Sequence, residues 1–187
     1  MATMISSGLD VIAFLKEQHE QVKELFEQVR RSSGAEREQA FHALRRLLAV
    51  HETAEEEILH PAARKVLPNG DAVVDALLTQ ENEAKKVLAG LEALDVHSTE
   101  FQTSFDMLER SVLVHARTEE TEEFDRMATA LEPERLEKMR KAVEFAEKVA
   151  PTRPHPGVES AAANVLAGPF AAMIDRTRDA FSGKSPD

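Results

Sequence analysis

The chain has 187 residues with no cysteine, tryptophan or tyrosine, and a formal charge of −11 at pH 7. That length suits one domain with room for an appendage, and the absence of cysteine excludes disulfides, thiolate metal sites and a cysteine nucleophile. The acidic balance argues against nucleic acid and anionic membrane surfaces, both of which need a basic patch.

The opening stretch, MATMISSGLDVIAFLKEQHE, has no basic segment followed by an apolar one, and no apolar run approaches the ~20 residues of a membrane span. The expectation is a cytoplasmic protein with neither a membrane nor a nucleic-acid partner. The turn clusters RSSGA (31–35), LPNGD (67–71) and DVHST (95–99) separate strongly periodic segments. A first helix is expected over about 10–32, with Asp10 as N-cap. A second runs over about 35–66, strained or broken at Pro61, which lacks the N–H that would bond back to Glu57. The third covers about 71–96, and the fourth about 100–131, entered through Ser98 or Thr99. A shorter fifth helix follows from Pro133 to about Ala150. PTRPHPG (151–157) reads as a stiff linker, and GPFAAMIDRTRDAFSG (168–183) as a last short helix carrying an apolar stripe that would pack on the bundle in preference to forming a dimer contact.

Four long helices joined by short turns, with no strand signal, imply an all-α, up-down-up-down four-helix bundle with a C-terminal helical extension. The boundaries are residues 1–131 for the bundle, 132–150 for an added helix packed on it, and 151–187 for the linker and final helix. Steps of three and four trace the inward seam of each rod. The first is Ile12, Leu15, His19, Val22, Phe26, Val29, and the second Phe41, Leu44, Leu48, His51, Glu55, Ile58. The third is Val74, Leu77, Glu81, Ala84, Leu88, Leu91, and the fourth Phe105, Leu108, Val112, His115, Glu119. Each seam is apolar except at its middle, where His19, His51, Glu55, Glu81, His115 and Glu119 interrupt it.

The interruptions repeat. HEQVKELFEQV (19–29) aligns without gaps to ENEAKKVLAGL (81–91), and HETAE (51–55) to HARTE (115–119). Within each hairpin the two partners lie nearly equidistant from their turn, so all six side chains fall at one level. Buried carboxylates and imidazoles cost several kcal/mol each unless something compensates them. Nitrogen and oxygen donors without sulfur suit iron or manganese, and six ligands from four helices suit two metals bridged by carboxylates. Zinc, which asks for four ligands, fits less well. Elsewhere, His42 and His60 stand nine residues from His51, about 180° round the helix, and are expected on the surface or between helices. His97 falls in a turn. The acidic run of Glu56, Glu57, Glu120, Glu122 and Glu123 reads mostly as solvated face, with Glu122 continuing the fourth seam.

The order H…HxxxE…HxxxE on four helices resembles the hemerythrin-like, or HHE cation-binding, family over about residues 10–131, and HETAEEEILHP with QENEAKKVL is most similar to its actinobacterial members. The resemblance implies a cofactor of two iron ions bridged by an oxo or hydroxo group. His19, His51 and His115 would be terminal ligands, and Glu55 and Glu119 would bridge. Glu81 stands where the family pattern has its next histidine, either as a ligand or as an outer partner of one. As a ligand it adds a negative charge that lowers the potential, moving the site from reversible oxygen carriage toward the carboxylate-rich di-iron enzymes. The absence of tyrosine removes any tyrosinate ligand or radical. The function expected is redox chemistry on a small oxidant, namely hydrogen peroxide, nitric oxide or dioxygen, in detoxification. The alternative is a carrier or sensor of dioxygen, nitric oxide or iron without turnover.

Overall fold

The computed structural model describes residues 10–150. Among them there are helices and turns but no strand. Helix α1 (Val11–Arg31) is followed by α2 (Gly34–Ala54), a π-helical turn (Glu55–Leu59) and α3 (His60–Val66), then α4 (Gly70–Leu91). After α4 come α5 (Thr99–Glu119), a second π-helical turn (Glu120–Phe124), α6 (Asp125–Ala130) and α7 (Pro133–Val149). The four rods of the bundle are thus α1, α2–α3, α4 and α5–α6, as the sequence pattern implied.

The ends carry the expected chemistry. The Ala13 amide donates to Asp10 Oδ1 at 2.9 Å, and the Phe101 amide to Ser98 Oγ at 3.1 Å, each satisfying a donor that the first helical turn leaves orphaned. Between α3 and α4, Asn69 takes the left-handed conformation (φ 58°). Gly70 lets the two helices nearly touch, for a β-carbon there would lie 2.5 Å from the Ala63 carbonyl oxygen. The third rod ends at Leu91, short of the expected 96. Val96 is nonetheless buried, packing into the core from the turn rather than from a helix.

The second rod is widened, not broken. A proline ring clashes with the carbonyl four residues back. The π turn just before Pro61 shifts the pattern so that the His60 amide bonds to the Glu55 carbonyl, five residues back. The fourth rod has a π turn at the matching place without a proline, directly after Glu119. Each π turn adds one residue to the helical winding, so every later seam position slides by one. Leu59 takes the fully buried place expected of Ile58, which is only half-buried. Glu123 is buried in place of Glu122, which is exposed.

Two apolar clusters form the core. One joins Val22, Phe26, Leu44, Leu48, Leu88, Phe105 and Val112. The other joins Leu15, Ala54, Leu59, Val74, Phe124 and Met127 with Leu136, Met139 and Val143 of α7. In sequence, His19 lies between Leu15 and Val22, and His51 between Leu48 and Ala54. The polar residues therefore form a layer separating two greasy halves. Helix α7 lies against α1 and α2, where the Arg140 guanidinium sits 4.5 Å from the Phe14 ring centroid and Gln18 Nε2 donates to Glu147 Oε1 at 2.7 Å. The linker and final helix expected over 151–187 lie outside the described residues. No helix among the described residues is long and apolar enough to cross a membrane.

Candidate metal centre

All six interrupting side chains are buried, Glu55, Glu81 and Glu119 completely. Ligand atoms of His19, His51, Glu55 and Glu119 lie within 4.8 Å of one another, as do those of Glu81, His115 and Glu119. Glu119 is common to both groups, so the six form one continuous cluster. His19 Nε2 is 3.4 Å from Glu119 Oε2, and His115 Nε2 is 3.8 Å from the same oxygen. His51 Nε2 lies 3.2 Å from Glu55 Oε1.

The histidines are held from behind. His19 Nδ1 pairs with Glu120 Oε1 at 2.7 Å, His51 Nδ1 with Gln18 Oε1 at 2.7 Å, and His115 Nδ1 with Gln80 Oε1 at 3.2 Å. Carboxylate and amide oxygens only accept, so each ring gives its Nδ1 proton outward and faces Nε2 inward, a free lone pair whenever the ring is neutral. Phe124 stacks on His19 with ring centroids 5.6 Å apart and fixes that ring's plane. A longer chain runs from His51 through Gln18 to Glu147, so α7 reaches the cluster's outer shell.

Two residues that the sequence pattern placed elsewhere join the cluster. His60, expected on the surface or between helices, is buried at 2 % exposure. The π turn supplies the reason. Nine α-helical residues from His51 rotate about 180°, but with one extra residue in the winding His60 behaves as the eighth, at roughly 80°. Its Nε2 lies 2.8 Å from Glu81 Oε1, and its Nδ1 lies 3.0 Å from Glu123 Oε1. Glu123 is fully buried rather than part of a solvated face. Glu56 is buried too, paired with the Lys85 ammonium, which also lies 3.8 Å from Glu52 and from Glu81. The sequence signal for these residues was a proline one position after a histidine, and it is weak. His42, half-buried beside Phe41, and His97, exposed in its turn, stay away from the cluster.

Electrostatically the layer is frustrated without a cation. Burial, reinforced by Glu119, pushes the Glu55 carboxyl well above the usual range. Burial together with neighbouring His19 holds His51 down to about 3. Burial opposes ionisation of Glu81 as well, but His60, His115 and Lys85 together outweigh it and bring that carboxyl down to about 2. Among the described residues, both oxygens of Glu55 and of Glu119, Glu81 Oε2 and His115 Nε2 are buried without a well-formed hydrogen bond. His19 Nε2 and His51 Nε2 face each other at 3.1 Å. Six orphaned donor atoms in one buried layer fit cations placed among them.

A family model for the hemerythrin HHE cation binding domain matches residues 10–127. This chain is a member of the hemerythrin HHE family. Its bundle is therefore a metal-binding one, and the buried layer is where a cation would sit. The bundle is similar to the crystal structure of an HHE cation binding domain-containing protein from Mycobacterium kansasii, with a TM-score of 0.65 and 17% identity over 75% of this chain and 86% of that one. At that identity the likeness speaks for the shared fold. A Nostoc protein named as a DNA nickase is 29% identical over 128 residues, 68% of this chain. The HHE chain spans about a third (35%) of that relative's length.

Proposed function

We propose that His19, His51, Glu55, Glu81, His115 and Glu119 hold two iron ions, and that the loaded protein performs redox chemistry on a small oxidant such as hydrogen peroxide, nitric oxide or dioxygen. The set of buried donors without hydrogen-bond partners carries this reading, since only cations satisfy that many at once. The donors are nitrogen and oxygen, which suits iron over soft-ligand metals. Three glutamates on the cluster favour the oxidised pair, and so turnover of an oxidant over reversible oxygen carriage. Bound iron would supply the Lewis acidity and the electrons. The chain's own part is to hold the donors and to exclude water. Gln18, Gln80 and Glu120 fix the imidazoles, and Phe124, Leu15 and Val112 keep the layer dry. The nickase name of the Nostoc relative is not carried over, because a net charge of −11 disfavours a nucleic-acid substrate.

Two measurements test this. Elemental analysis of protein from iron-replete cells should give two irons per chain. Oxygen release after mixing the oxidised protein with peroxide should far exceed that of free iron. Turnover equal to free iron, together with a reversible oxygen adduct of the reduced protein, would favour a carrier or sensor instead.

A further inference from the structure

We propose that His60 is a further ligand of this centre, binding a metal on the side of the cluster where Glu81 and Glu119 stand, with Glu123 as the residue that positions it. The inference rests on the cluster being a metal site, and adds to it a fourth imidazole delivered by the π turn of the second rod.

The four buried imidazoles are held alike. Each presents Nδ1 to an acceptor on its outer side: Glu120 for His19, Gln18 for His51, Gln80 for His115, and Glu123 for His60. Each turns Nε2 toward the carboxylates of the layer, and for His60 the nearest is Glu81 Oε1 at 2.8 Å. A carboxylate accepting from Nδ1–H fixes the ring's tautomer and orientation and raises the basicity of Nε2. Glu123, buried and bonded to His60 through either oxygen (3.0 and 3.1 Å), is placed to do this.

The spacing also fits. Two donors at right angles on one metal, each ~2.1 Å from it, are about 3 Å apart. Glu81 Oε1 lies 2.8 Å from His60 Nε2 and 4.0 Å from His115 Nε2, so one oxygen stands between two imidazole nitrogens. Four residues gather around His19 and His51 and three around His115, while His60 gathers with Glu119 and Glu123, so Glu119 is shared by all three groups. The two π turns bring His60 and Glu123 in together, one from each rod.

A purely structural His60 would be a cation bridging Glu81 and Glu123, and the test separates the two roles. Iron per chain is measured in full-length protein from iron-replete cells, with the melting temperature before and after chelation. Wild type should hold two irons. His60→Gln should hold about one and lose roughly half of the metal-dependent rise in melting temperature. Glu123→Gln should hold two with ~10- to 100-fold weaker binding of one of them. His60→Asp should recover the second iron, because aspartate can ligate a metal but cannot bridge two carboxylates as a cation. Two irons in His60→Gln with an unchanged Mössbauer spectrum, or no recovery in His60→Asp, would overturn the proposal. If His60→Gln does not fold, X-ray absorption of the wild type decides between four imidazoles per iron pair, as proposed, and three. Wild-type protein that takes up no iron would instead remove the reading on which the inference rests.

Discussion

Lys85 offers a sharp test of how the layer is balanced. The residue is buried at 8 % exposure, with its ammonium against Glu56 and 3.8 Å from both Glu52 and Glu81. Burial alone would push the lysine toward neutrality, but these three carboxylates outweigh it and raise its pKa. Lys85→Met keeps the aliphatic stem and removes the charge, leaving three buried carboxylates facing one another. Breaking a buried pair from one side costs about 3–5 kcal/mol, a large share of the ~5–15 kcal/mol that holds a domain. For a chain of this size that corresponds to a fall of roughly 6–20 °C in melting temperature. Urea unfolding of the chelated protein measures the loss without any metal contribution. Adding Glu56→Gln to Lys85→Met should recover part of it, because the charge with the closest contact to lysine is then gone as well. A loss below about 1 kcal/mol in the single variant, or strictly additive losses in the double, would show that Lys85 is not the internal counter-ion of these carboxylates.

Three further outcomes are expected. Gln18→Leu deprives His51 Nδ1 of its acceptor and should weaken metal binding by ~10- to 100-fold in chelator competition, with little change in the melting temperature of the metal-free protein. Gly70→Ala should destabilise by about 1–3 kcal/mol in urea unfolding, since the new methyl meets the Ala63 backbone and the clash exceeds the ~1 kcal/mol that alanine gains in a helix. Chelation of the loaded protein should lower its melting temperature by roughly 8–16 °C, as expected for a ligand present at about a thousand times its dissociation constant. Metal-free and loaded proteins melting together would contradict a buried cation site.

The bundle and most of its candidate site were legible in the sequence, because both depend on local periodicity. An α-helix returns to the same face every three or four residues, so the seams, and the six residues that interrupt them, follow from spacing alone. Asp10 announced its cap by residue type, Ser98 was one of two cap candidates beside Thr99, and the mirrored halves placed His19 against His51 before any packing was known. The extra winding at Glu55–Leu59 and Glu120–Phe124 was another matter. A π turn leaves hardly any mark in composition, and once present it rotates everything after it. That rotation carried His60 and Glu123 inward, exchanged Ile58 for Leu59, and left Glu122 in solvent. The contacts of Gln18 with Glu147 and of Lys85 with Glu56 likewise join residues 129 and 29 positions apart, a proximity that only the packed rods create. Local spacing determined which faces meet, while the tertiary structure decided the winding of each rod and therefore which charges share the buried layer.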